Sequence, residues 1–193
     1  MHEKIRQIIR SSIDVKMQLL DDESMLQQIQ VVVAIMVKAL KNGNHVYFCG
    51  NGGSAADAQH LAAELSGRFY KDREALRGEA LHCNTSYLTA VANDYSYDEI
   101  YARLVRGITK KGDILIGIST SGNSANIVKA FETAREIGVI SIGLTGLTGG
   151  VIKTVSDYLF AVPSADTPRI QESHIMIGHI ICQFVEEEYF KNE

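Results

Sequence analysis

The chain has 193 residues, 46% apolar and 22% charged, with a formal net charge of −4. That balance predicts a single globular domain with room for a real core, and it excludes a disordered or collagen-like chain. Net negative charge with no Lys/Arg run above two residues argues against a nucleic-acid surface, and the longest apolar run, Val31 to Val37, is too short to span a bilayer.

In chain order, residues 3–20 place Ile5, Ile8, Ile9, Ile13 and Leu20 at helical spacing. Asp21 to Ser24 break that helix and offer caps for a second at about 24–41. The second helix carries Val31 to Val37, apolar on every side, which predicts either an oligomer interface or a central helix of the monomer. Met1 to Arg10 is amphipathic and charged, so no signal peptide is visible. His45 to Cys49 reads as a strand, Gly50 to Ser54 as a glycine turn, and 54–68 as a helix. Gly50, Gly52 and Gly53 can take positive φ there. Ser54 or Asn51 can cap the helix, with Asp57 in its first turn. His60 and Glu64 then share one face, four residues apart.

Tyr70 to Gly78 is polar and predicts a loop, followed by a strand at about 79–84. Short helices are expected at 86–92 and 97–107, split by Asn93-Asp94. Ile114 to Ile118 is a continuous apolar strand of the parallel-sheet kind. Ser119-Thr-Ser-Gly-Asn-Ser124 leads into a helix at 124–137, which Gly138 stops. A strand at Val139 to Leu144, a short helix at 150–155, a strand at Tyr158 to Val162 and a long helix at 168–190 complete the chain, with Pro168 in the last helix's first turn. The order predicts an α/β fold of about five parallel strands with helices on both faces and an N-terminal helix pair. Residues 1–41 would be the helix pair and 42–193 the α/β core of one domain. Ligands in such folds sit at the carboxyl ends of the strands.

Two loops carry chemistry. Gly50-Asn-Gly-Gly-Ser-Ala55 fits a loose dinucleotide pattern, but the second strand ends without the acidic residue that a ribose needs. Ser119 to Ser124 holds four hydroxyls in six residues between a buried strand and a helix start. One serine would cap the helix; four, with free helical N–H groups, can surround a phosphate without a lysine. His60, Glu64, Gln171 and His179 form a donor set that suits a borderline metal, although each also reads as a surface or core residue by itself. Cys49, Cys83 and Cys182 are an odd count without CxxC spacing and read as buried, reduced thiols of a cytoplasmic protein.

Taken together, Gly50–Ser54, Ala58–Phe69, Ala92–Asp94, Gly117–Asn126 and Arg169–His179 resemble the sugar-isomerase (SIS) fold. More closely, they are similar to the bacterial phosphoheptose isomerases, over essentially the whole chain. The resemblance implies a cytoplasmic homotetramer that converts D-sedoheptulose 7-phosphate to D-glycero-D-manno-heptose 7-phosphate, which feeds nucleotide-activated heptose synthesis for lipopolysaccharide or capsule. It implies one zinc ion per subunit on His60, Glu64, Gln171 and His179, with Glu64 as base and His179 as acid. It also carries substrate contacts onto Asn51, Gly52, Gly53, Ser54, Glu64, Asn93, Asp94, Ser119, Thr120, Ser121, Ser124 and Gln171. One departure is Pro168, where the family often has an acid; Asp166 lies two positions earlier. A tetrameric protein that binds the replication initiator DnaA shares most of these motifs, and a non-catalytic sugar-phosphate sensor is a third reading. Ser66-Gly67-Arg68 looks more like the isomerase version.

Overall fold

The computed structural model describes residues 1–191. Helices α1 (His2–Leu20) and α2 (Glu23–Lys41) come first, with Asp22 capping α2 by accepting the Met25 amide at 3.0 Å. The alternating part follows: β1 (Val46–Gly50), α3 (Gly53–Ser66), β2 (Gly78–Ala80), α4 (Thr85–Asp94), a 3-10 turn at Tyr97–Glu99, α5 (Ile100–Ile108), β3 (Ile114–Ser119), α6 (Ala125–Ile137), β4 (Ile140–Thr145), α7 (Ile152–Val155) and β5 (Tyr158–Ala161). Helix α8 (Thr167–Tyr189) ends the fold.

All five strands are parallel, in the order β2-β1-β3-β4-β5. Side chains alternate across the sheet and feed two cores. Val46, Phe48, Ile114, Ile116 and Ile118 join α1, α2, α3 and α8 on one face. Tyr47, Cys49 and Leu115 join α4 to α7 on the other. The expected three-layer α/β arrangement is therefore present. Strand order reverses between β1 and β3, the place where folds of this kind receive a ligand, at the carboxyl ends of the strands.

Several local expectations change. The second strand is only three residues long, because it is an edge and Asn84 leaves it to cap α4 by accepting the Tyr87 amide. β1 starts at Val46, since the His45 amide is taken by the buried Asp113 carboxylate at 2.9 Å. Helix α3 has neither Ser54 nor Asn51 as a side-chain cap and no acid in its first turn. Ser54 is buried inside the helix, and the cap position is Gly52, the one glycine of that turn with positive φ (56°). Cys83 is exposed, whereas Cys49 and Cys182 are buried.

α2 is long and apolar enough to resemble a membrane span by length and composition alone. Its Ile29, Val32, Val33 and Met36 nevertheless pack into the core, and Val31 faces outward at 47% exposure. α1 buries only Val15 and Leu19, leaving Ile5, Ile8, Ile9, Ile13, Met17 and Leu20 about half exposed.

Candidate active site

Helix α3 leaves the glycine turn at the tip of β1. Gly53, Asp57, His60 and Glu64 lie at i, i+4, i+7 and i+11, which makes them one stripe along this helix. Helix α8 packs beside it. Gly178 permits the approach, because a Cβ at that position would lie 2.5 Å from Leu61 Cδ1. At one end of the contact, Gln171 Nε2 presses on Gly53, 2.6 Å from where a side chain there would begin. At the other end His179 meets His60.

His60 Nε2 and His179 Nε2 are 2.8 Å apart, and His60 Nε2 is 3.1 Å from Glu64 Oε1. The three donor atoms lie within 4.8 Å of one another. Two imidazole nitrogens and a carboxylate oxygen so placed suit one cation. A further observation fits the same group. Asp57 Oδ2 is buried without a hydrogen-bond partner. Burial raises the Asp57 pKa, against the nearby His60 and His179. Burial, then the charge of His60, lowers that of His179, against Glu64 and Asp57. Phe69 lies along His179, with ring centroids 5.5 Å apart.

The end of α3 that carries Glu64 is clasped from below. Glu186, 1% exposed, accepts the amides of Phe69, Tyr70 and Lys71 and the Nε–H of Arg73. Arg73 in turn donates to the carbonyls of Glu64, Leu65, Gly67 and Glu74. Arg73 thereby answers the carbonyls of Glu64, Leu65 and Gly67 at the helix end.

The second loop sits at the tip of β3. Ser119 is buried, and its hydroxyl meets that of Ser124 at 2.8 Å. Ser124 therefore makes no cap bond to α6, whose first-turn amides stay without a side-chain partner, as an anion seat requires. Ser121 Oγ accepts the Asn123 amide. The loop is braced against the β4–α7 connection: Asn123 Oδ1 accepts the Val151 amide, and the carbonyls of Gly122 and Thr120 accept those of Ile152 and Gly146. Asn93 and Asp94 are exposed at the end of α4, joined to each other by a 2.9 Å hydrogen bond. Pro168 occupies the first turn of α8, and Asp166 precedes that helix without a side-chain cap bond.

Three of the four expected metal donors thus converge. The fourth, Gln171, packs on the glycine turn two helical turns earlier. Sequence reasoning assigned Asp57 to a helix start, although its place in the α3 stripe with His60 and Glu64 could have revealed it. It assigned no task to Asn126 or Tyr97, whose contacts with Asn51 cross the fold and leave no local pattern.

A five-stranded parallel sheet with a hydroxyl-rich loop at its switch point and a His/Glu/His group on α3 and α8 defines the class of α/β protein with which the chain is compared. The profile described as "SIS domain" matches residues 11–146. A phosphoheptose isomerase of Aneurinibacillus thermoaerophilus is 51% identical over 100% of this chain and 98% of its own length. One from Clostridium acetobutylicum is 54% identical over 94% and 93%. The solved phosphoheptose isomerase of Neisseria gonorrhoeae superposes with a TM-score of 0.90 at 39% identity, covering 96% of this chain and 98% of that one. That of Francisella tularensis gives 0.92 at 34%, covering 96% and 97%. The chain belongs to the phosphoheptose isomerases of the SIS-domain family.

Proposed function

We propose that the chain is an aldose–ketose isomerase that converts D-sedoheptulose 7-phosphate to D-glycero-D-manno-heptose 7-phosphate through an enediol. The observation that carries this is the α3 stripe. From Gly53 to His60 is seven residues, about 10 Å of helix. One stripe therefore leads from a strand-tip turn to an acid–base and metal group, a span comparable to an extended sugar phosphate. Whole-chain similarity to isomerases favours the enzyme over the initiator-associated and sensor readings.

In this account the phosphate is seated by Ser119, Thr120, Ser121 and Ser124 with the start of α6. Asn51, Gly52, Gly53, Ser54, Asn93, Asp94 and Gln171 contact the sugar. Glu64 takes the proton from C1 of the ketose, and a proton is delivered to C2 of the enediol. His179 gives a proton to the developing oxyanion at O2 and, as the aldehyde forms, one leaves O1. A cation, with zinc matching the donor set, would be held by His60, Glu64 and His179, with Gln171 of α8 as the fourth donor. Such a cation supplies Lewis-acid polarisation of the carbonyl. Glu64 and His179 stand in both sets, so each would have to leave the cation to move a proton.

The exposed face of α1 and a groove of about 840 Å³ between α2 and α8, lined by Leu26, Val33, Val37, Ile180 and Phe184, support assembly into a homotetramer. The net charge and the absence of a basic run support a small-molecule substrate rather than nucleic acid, and the likeness to metabolic isomerases supports a cytoplasmic enzyme. Incubation with sedoheptulose 7-phosphate, followed by NMR of the product, tests the reading. The expected result is the aldose, with about one zinc per chain on metal analysis and activity lost to chelators. Binding without turnover would favour a sensor. Tight initiator binding with neither would favour the scaffold.

A further inference from the structure

Asn51 follows β1, and Asn126 is the second residue of α6, 2% exposed. Their carboxamides form a reciprocal pair. Asn51 Nδ2 donates to Asn126 Oδ1 at 2.9 Å, and Asn126 Nδ2 donates to Asn51 Oδ1 at 2.9 Å. The Tyr97 hydroxyl also donates to Asn51 Oδ1, at 3.0 Å. The residue before Asn51 is tied down as well, since the buried Tyr101 hydroxyl donates to the Gly50 carbonyl.

This pair bridges the two strand-tip loops at the point where strand order reverses. A carboxamide placed second in a helix is a poor helix former, and burying one costs free energy unless it is bonded. Packing alone would be served by an apolar residue. The bonds fix the Asn51 amide instead. With both acceptor sites of Oδ1 occupied and one N–H given to Asn126, Asn51 has a single N–H left to offer. That group is a donor held at the mouth of the crevice, suited to a hydroxyl or carbonyl oxygen of a sugar.

We infer that Asn126 and Tyr97 are positioning residues that orient Asn51 as a hydrogen-bond donor to the sugar-phosphate substrate. The inference rests on the proposed role of Asn51 as a substrate contact. It differs from that role in assigning the orientation to two residues that act through Asn51.

The test is steady-state kinetics with sedoheptulose 7-phosphate on Asn51→Ala, Tyr97→Phe, Asn126→Asp and the double variant Asn51→Ala/Tyr97→Phe. Tyr97 is 49% exposed, so removing its hydroxyl leaves the fold intact even if Asn126→Asp folds poorly. One hydrogen bond to a positioned group corresponds to a KM increase of about 3–10-fold for Tyr97→Phe, with kcat within about twofold and an unchanged melting temperature. Asn126→Asp keeps an acceptor but loses the donor to Asn51, and should raise KM at least as much. In the Asn51→Ala background, loss of the Tyr97 hydroxyl should add nothing, because the two act as one unit. An additive double variant, or unchanged KM in both Tyr97→Phe and Asn126→Asp while Asn51→Ala is impaired, overturns the inference and leaves the isomerase reading standing. Unchanged KM in Asn51→Ala removes the substrate contact itself, and the inference with it.

Discussion

Replacing Arg73 with Met should destabilise the protein more than any surface change, and the clasp under α3 sets the size. The Arg73 and Glu186 side chains are 4% and 1% exposed and meet at 2.8 Å. Met fills similar space but leaves the Glu186 carboxylate buried on three backbone amides alone, and it takes the guanidinium from three carbonyls at the end of α3, those of Glu64, Leu65 and Gly67. Breaking one side of a buried pair costs about 3–5 kcal/mol, which for a chain of this size lowers the melting temperature by about 6–20 °C. Arg73→Lys keeps the charge without the planar fork and should fall between.

The pH dependence has a definite sign. Burial alone would raise the Glu186 pKa, but the amides of Lys71, Phe69 and Tyr70 and the Arg73 guanidinium overcome it and hold the carboxyl below its usual 4.5. That stabilisation is present above about pH 4.5 and is lost as acid protonates the folded carboxyl. The gap between wild type and Arg73→Met should therefore narrow in acid. Calorimetry from pH 7 to pH 3.5 reads all of this. A shift below about 2 °C at neutral pH, or Arg73→Lys behaving as wild type, would refute the reasoning.

Three other outcomes follow from the packing. His174 is fully buried and donates Nε2–H to the Thr145 carbonyl, and burial pushes its pKa from 6.5 down to about 4, against that bond. Its contribution is whole above pH 6.5 and fades toward pH 4; His174→Gln should flatten a loss of about 3 kcal/mol across that window in denaturant titrations. Gly178→Val should force α8 off Leu61, lowering stability by about 1–3 kcal/mol and reducing bound metal by separating His179 from His60, both readable by melting and metal analysis. Ile9→Lys with Ile13→Lys, at positions 55% and 53% exposed in the single chain, should shift sedimentation to smaller species; an unchanged mass would remove α1 from the assembly interface.

The fold was largely legible because its signals are local. Ile114 to Ile118 could only be an inner strand, Gly138 takes the left-handed turn (φ 78°) that ends α6, and Asp22 caps α2. Edges and caps were less legible, since tertiary competition decides them. Asn84 gave up the strand for a helix cap, and Asn51 gave up capping α3 for Asn126. The site was half legible. His60 and Glu64 announce themselves by spacing, but the approach of His179 depends on Gly178 meeting Leu61 across more than a hundred residues. The burial of the Asp57 Oδ2 atom near both imidazoles is likewise a product of tertiary packing.

The most direct measurement compares wild type with Glu64→Gln in single-turnover conversion of sedoheptulose 7-phosphate, followed by NMR on protein shown to be folded. Wild type should yield the aldose, and the variant, unable to accept the C1 proton, should be slower by about 10²–10⁴-fold. No aldose from wild type, or an undiminished rate in the variant, would contradict the account.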